Sequence, residues 1–190
     1  MVHIKRLKLK GFKSFAEPTV LSFEKGFNTV IGANGSGKSN VFDAMCFVLG
    51  RLSSKELRTE KLGNLVFNGG KHLKPAKEAE VSIYLSNDNK ELLNVDLEEI
   101  KISRVVSKKE QSTYLLNNNK VTRTEIVEIL SRAHINPDGY NIVLQGDIVR
   151  FTDMPTERRR KLIEEIAGIS VYEEKKHKAV RELEKVEERL

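Results

Sequence analysis

The stretch VIGANGSGKSN, residues 30–40, constrains this chain more than any other. An apolar pair, Val30 and Ile31, runs into three glycines and a lysine, and from Lys38 the apolar residues Val41, Ala44, Met45 and Val48 recur at helical spacing. Gly32 to Ser39 fit G-x-x-x-x-G-K-[ST], the pattern of a phosphate-binding loop. Glycines let successive backbone N–H groups turn inward with no Cβ in the way, forming a nest for phosphate oxygens. A helix opening at Lys38 would aim its free N–H groups and the positive end of its dipole at the same anion. Lys38 supplies a point charge for the β- and γ-phosphates, and the Ser39 hydroxyl can ligate Mg²⁺. The strand–loop–helix order is the one this chemistry needs, so Gly32, Ala33, Asn34, Gly35, Ser36, Gly37, Lys38 and Ser39 are expected to hold ATP with Mg²⁺, and Asn40 flanks them.

Short strands are expected before the loop, over 19–23 (TVLSF) and 28–31 (NTVI), bounded by Pro18, Gly26 and Gly32. The helix after the loop should end at Gly50, and residues 51–78 carry no period. Strand signals return over 79–85, 100–106 and 112–122, the last with an asparagine run that marks a hairpin tip. Thr122 and Glu125 form a capping box ahead of a helix whose apolar side is Ile126, Ile129, Leu130 and Ala133. YNIVLQG (140–146) is a candidate buried strand, and 155–168 a helix ending near Gly168. From Tyr172 the residues Lys176, Ala179, Leu183, Val186 and Leu190 follow the a/d spacing of a coiled coil, behind a second capping box at Ser170–Glu173. An ordinary amphipathic surface helix has a similar pattern. The stripe stops at Leu190 in mid-heptad with no glycine cap, which predicts a fragment of a longer arm. The expected organisation is a lobe over 1–168 and the start of a coiled coil over 169–190.

Composition narrows the classes. Of 190 residues 39% are hydrophobic, enough for one sizeable core, and no run of about 18 apolar residues exists to span a bilayer. The single cysteine, Cys46, cannot form an internal disulfide, which fits a reducing cytoplasm. Neither Cys46 nor His134 has a companion at ligand spacing. A net charge of +6 favours polyanionic partners only mildly.

A nucleotidase built on such a loop also needs an acidic residue at the end of an apolar strand and a carboxylate to activate water. LLNVD (92–96) comes nearest and is broken by Asn94, and nothing after residue 140 qualifies. The cradle is expected here without its hydrolytic half, so the chain alone should not turn over ATP efficiently.

GFKSF (11–15), GANGSGKSN (32–40), LGRLSSKELR (49–58), VLQGDI (143–148) and RRKLIEEIAGI (159–169) together resemble the N-terminal part of an SMC (structural maintenance of chromosomes) protein, the prokaryotic type above all. The resemblance covers essentially the whole chain. It implies an α/β, ABC-type P-loop ATPase head, split so that the N-terminal lobe has a mixed or antiparallel sheet and the P-loop helix. The signature motif, acidic strand end and catalytic glutamate would come from a C-terminal half beyond a long coiled coil.

Two heads would then sandwich two ATP molecules, in the service of chromosome condensation and segregation in a cytoplasmic, nucleoid-associated setting. By the same resemblance Gln145 is the Q-loop glutamine, a Mg²⁺ and attacking-water contact, although a plain strand-end residue fits the local sequence as well. Lys13 and Ser14 match the segment near the base and phosphates, and Arg58 matches the arginine of the R-loop. Asn64, Leu65 and Val66 would lie towards the adenine. Lys55, Arg58, Lys61, Lys108, Lys109, Lys120 and Arg123 would touch phosphates of double-stranded DNA without reading bases; scattered solvated charges are the alternative. The other implied partners are the C-terminal head half, a second head and a kleisin subunit at the coiled-coil base. No membrane partner is expected. A double-strand-break-repair type ATPase head, a nucleotide-gated clamp with negligible hydrolysis and an ABC transporter subunit stay open as alternatives.

Overall fold

A computed structural model describes residues 2–51, 57–88, 97–133, 135–137, 142–143 and 154–166, together with 90, 92, 93, 95, 176, 179, 180, 182 and 183. The chain divides into two units, Met1–Ile142 and Val143–Leu190.

The first unit is built on a six-stranded sheet in the order β2-β1-β3-β4-β5-β6, every neighbour pair antiparallel. The strands are β1 (Ile4–Lys10), β2 (Thr19–Ser22), β3 (Glu78–Ser86), β4 (Glu99–Ser107), β5 (Ser112–Leu116) and β6 (Asn119–Val121). Register sorts the side chains onto two faces. Leu7 lies opposite Ile83, which lies opposite Ile102, and Leu9 lies opposite Val81. Leu85 opposite Ile100 and Ala79 opposite Val106 extend the same apolar face. The other face holds Arg6, with its guanidinium 4.2 Å from the Tyr84 ring centroid, and a buried Ser82–Ser103 hydroxyl pair at 2.8 Å.

The helix α1 (Lys38–Leu49) packs on β3 and β4, and α2 (Arg123–Arg132) packs on α1 and β5. Phe47 and Ala44 of α1 are fully buried, as are Leu7, Leu9, Ile83 and Ile102 of the sheet beneath. Each such large apolar side chain contributes about 1.5–3 kcal/mol by leaving water. The Phe12 ring packs against Phe47 at 5.5 Å, which brings the Gly11–Phe15 turn onto the same core. At the far end α1 stops at Gly50, whose φ of 111° only glycine adopts readily, so its N–H can return to Phe47 O.

One residue breaks the apolar face. Arg104 is 1% exposed and lies opposite Val81 on one side and Tyr114 on the other. Its Nη1 donates to Phe47 O and Arg51 O, each at 2.9 Å, and its Nε donates to Ser112 Oγ at 2.9 Å. The guanidinium lies 4.3 Å from the Phe47 ring centroid and 4.8 Å from that of Tyr114. Burial lowers its pKa from the ordinary value, Tyr114 partly opposes that shift, and Arg123 adds to it. Arg123 Nε donates to Gly50 O at 2.7 Å, so two cations meet the carbonyl end of α1, where the helix dipole favours them.

The expected strand over 28–31 is not formed. After Ser22 the chain leaves the sheet, and Asn28 closes a turn by accepting from Glu24 N and donating to Glu24 O and Gly26 O. Residues 28–31 belong to no strand, with Phe27 94%, Val30 48% and Ile31 85% exposed. Strand propensity alone cannot make a strand: among the described residues no segment pairs with this one. The expected strands over 19–23, 79–85 and 100–106 are present, as is the 112–122 hairpin with its tip at Asn117–Asn118. The capping box at Thr122 has both reciprocal bonds.

In the second unit α3 covers Thr156–Ile166, within the expected 155–168 helix, with an Arg160–Glu164 ion pair one turn apart. Of the candidate strand 140–146 only Ile142 and Val143 are described. The 169–190 stripe also lies mostly outside the described residues. Lys176, Ala179, Val180, Glu182 and Leu183 are helical, and Val180 and Leu183 are 45% and 61% exposed.

Candidate nucleotide site

The glycine loop sits at the amino end of α1. Gly37 caps that helix with φ 96° and no side-chain hydrogen bond, and the first turn carries no acidic residue to offset the positive dipole end. A Cβ on Gly37 would stand 3.1 Å from Ser14 Oγ and 3.8 Å from Phe15 Cζ, so the loop is closely backed by the 11–15 turn. Asn40 Nδ2 donates to Ser14 Oγ at 2.9 Å and secures that contact. Lys38 Nζ folds back over the loop and donates to Gly32 O and Ala33 O, both at 2.7 Å. Gly32 through Ser36 are exposed. The loop therefore presents glycine backbone, a lysine ammonium and the Ser39 hydroxyl to solvent, a donor set suited to phosphate and a divalent cation.

Beside it opens a cavity of about 700 Å³ lined by Lys13, Ser14, Asn40, Arg58, Asn64 and Val66, with Thr59, Glu60 and Asn68. Six sequence-expected residues from four remote segments thus meet around one space. Leu65 is different: its side chain is fully buried in the core, and it takes part through its carbonyl, which accepts Lys13 N at 2.7 Å. Gln145 and Lys55 lie outside the described residues.

The residue that sequence reasoning missed is Asp43. It is 2% exposed, accepts Lys13 Nζ at 2.5 Å, and takes both Nε and Nη2 of Arg58, at 3.1 and 2.6 Å. Its partners are 30 and 15 residues away, and in the sequence it is one more polar position in an amphipathic helix. The signal available was its place as the single polar residue in the otherwise apolar run from Val41 to Leu49.

Of the proposed DNA-facing cations, Lys61, Lys108, Lys109 and Lys120 are exposed. The 3-10 turn Leu62–Leu65 packs so tightly on the β4–β5 turn that a Cβ on Gly63 would stand 2.7 Å from Lys108 O, which gathers Lys61, Lys108 and Lys109 on one side. Lys120 is at the other end of β5, and Arg123 is half-buried on Gly50 O. Among the described residues no group of His, Cys, Asp and Glu could hold a metal, and no helix is long and apolar enough to cross a membrane.

Comparison with known proteins places this geometry. The chromosome partition protein Smc of Pyrococcus furiosus is 49% identical over 191 residues, covering all of this chain and 16% of that protein. The chain thus spans about one sixth of the curated relative it matches. Among solved structures, the Smc head domain of Pyrococcus furiosus with an extended coiled coil, bound to the C-terminal domain of ScpA, superposes with a TM-score of 0.88 at 49% identity, over 99% of this chain and 47% of that one. A structure from the structural biochemistry of ATP-driven dimerization and DNA-stimulated activation of SMC ATPases gives a TM-score of 0.79 at 48% identity, over 86% of this chain and 99% of that one. The fold is that of an SMC head's N-terminal lobe. Residues 3–143, most of the chain and all of the sheet, match the RecF/RecN/SMC N terminal domain, and the chain belongs to that family.

Proposed function

We propose that this chain is the ATP-binding half of an SMC head, which binds ATP with Mg²⁺ and joins a C-terminal head half and a second head in ATP-dependent engagement and hydrolysis. The observation that carries the reading is the glycine loop at the unneutralised amino end of α1, with Lys38 held over it and the cavity beside it. Lys38 now bonds two loop carbonyls, and an arriving phosphate would offer the ammonium a stronger, charged acceptor. Backbone N–H groups of the loop and the amino end of α1 would then orient the phosphates, and Ser14 and Asn40 brace the loop from behind. Ser39, with Gln145, would hold Mg²⁺, which when bound neutralises phosphate charge. Asn64 and Val66 line the side of the cavity on which a base would rest.

The relatives support a wider role in chromosome partition with a kleisin such as ScpA and stimulation by DNA; the reading adds a kleisin contact at the coiled-coil base, double-stranded DNA across the exposed lysines, and a cytoplasmic, nucleoid-associated location. Because the hydrolytic carboxylates are not legible in this sequence, this half binds nucleotide and depends on its complement to cleave it. The test is equilibrium binding of a fluorescent ATP analogue with and without Mg²⁺. Wild type should bind, and Lys38→Ala should bind at least about tenfold more weakly, the equivalent of one charged hydrogen bond. Equal binding by the two would refute the reading.

A further inference from the structure

We propose that Asp43 is the positioning residue of this site: its carboxylate fixes Arg58, through one ion pair with two hydrogen bonds, in the orientation in which the guanidinium meets a bound nucleotide. The inference rests on the nucleotide reading above and deepens it. Asp43 follows Ser39 by four residues, about one turn along α1, so it shares a rigid element with the phosphate loop. An ionised carboxylate that is 2% exposed must be paired, and both of its oxygens are used, Oδ1 on Arg58 Nε and Oδ2 on Arg58 Nη2 and Lys13 Nζ. Lys13 Nζ donates also to Leu57 O at 2.8 Å, the carbonyl just before Arg58. Three segments remote in sequence, the 11–15 turn, α1 and residues 57–58, are therefore tied at one carboxylate.

The two cations differ in what they have left. Lys13 is 14% exposed, and its ammonium is engaged by Asp43 and Leu57 O. Arg58 is 46% exposed and lines the cavity, and with one edge of its fork docked on Asp43 its remaining N–H groups are available to an anion. Asp43 is shared between the two cations, so neither of their charges is fully offset by it, and Glu60 is the one carboxylate among the residues lining the cavity. Lys13 and Arg58 both adopt left-handed backbone, φ 46° and 51°, which residues with side chains rarely do without being held. Asp43 holds both.

The experiment is a double-mutant cycle on the protein at its native length, read as the affinity for the fluorescent ATP analogue, with Lys38→Ala as reference. Asp43→Asn and Arg58→Gln should each weaken binding about tenfold, and the double variant should be no worse than either single one, because Asp43 acts through Arg58. An Asp43→Asn protein that binds like wild type overturns the proposal, and so does a double variant weakened about a hundredfold, the product of the two effects. Should Asp43→Asn fail to fold, Arg58→Lys replaces it. That variant keeps the charge at a half-exposed position, loses the fork on Asp43, and is expected to bind about tenfold more weakly; wild-type affinity would overturn the proposal. If wild type does not bind, or Lys38→Ala binds as well as wild type, the nucleotide reading falls and this inference with it. Wild type and Lys38→Ala behaving as expected beside an unaffected Asp43→Asn sinks the Asp43 role alone.

Discussion

Replacing Arg104 by methionine tests the account of the core directly. Methionine keeps an unbranched apolar stem in the row between Val81 and Tyr114 and removes the guanidinium. Three hydrogen bonds from a charged group go with it, to Phe47 O, Arg51 O and Ser112 Oγ. Phe47 O keeps the Gly50 N–H, whereas Arg51 O and Ser112 Oγ lose the donor that Arg104 gave them, at about 1–3 kcal/mol for each that stays dry. The two ring contacts add about 1–2 kcal/mol each for a desolvated cation. Against this stands the cost of keeping an arginine out of water, several kcal/mol, which the substitution recovers.

The balance is a loss of about 3 kcal/mol. For a chain of this size that lowers the melting temperature by roughly 6–12 °C. Thermal and urea unfolding followed by circular dichroism would measure it, and Arg104→Lys should fall between the two, since an ammonium reaches a carbonyl but cannot fork or stack as well. Because a guanidinium stays protonated across the working range, the loss should not vary with pH near neutrality. An Arg104→Met protein as stable as wild type would refute the reasoning, by showing that desolvation outweighs every contact this side chain makes.

Gly37→Ala would force a side chain into a left-handed cap and against Ser14 Oγ. It should cost about 1–2 kcal/mol of stability from the backbone alone and weaken nucleotide binding at least about tenfold, read by melting and by analogue titration. The Glu125 carboxyl is held below its ordinary pKa first by the Thr122 backbone N–H and then by the Thr122 hydroxyl. A carboxyl depressed in the folded state stabilises it above the unfolded pKa of about 4.3, and that contribution is lost as pH falls through the lower folded value. An NMR titration of Glu125 should show the low midpoint, and Thr122→Ala, which removes the hydroxyl but keeps the backbone N–H, should raise it only part of the way while removing about 1 kcal/mol of helix capping.

What the sequence made legible was local. The glycine loop leading into α1, the α1 stop at Gly50, the Asn117–Asn118 tip and the Thr122–Glu125 box each need only a few neighbouring residues, and each appears in place. Residues 28–31 have the same local signals as the true strands, but a strand also needs a neighbour to take its hydrogen bonds. Arg104 and Asp43 were illegible for the opposite reason. In a chain that is 32% charged, a lone arginine or aspartate looks like surface, and only packing shows the one under Phe47 and the other between Lys13 and Arg58. Asn64 and Val66 were placed near the site through resemblance, yet the structure alone distinguishes them from Leu65, which turns inward.

The two ends of α1 are held very differently. At Leu49–Gly50 the attachments are the buried Arg104 and the half-buried Arg123; at Lys38–Asn40 they are a few exposed hydrogen bonds made by the Lys38 ammonium and the Ser14 hydroxyl, and the next anchor is Asp43, one turn further on. A rod held in this way would pivot at its carbonyl end. Its twelve residues span about 18 Å, so a tilt of about 5° there would swing the opposite tip by roughly 1.5 Å. That sweep is enough to make or break the contacts around Ser14 while the sheet beneath stays still.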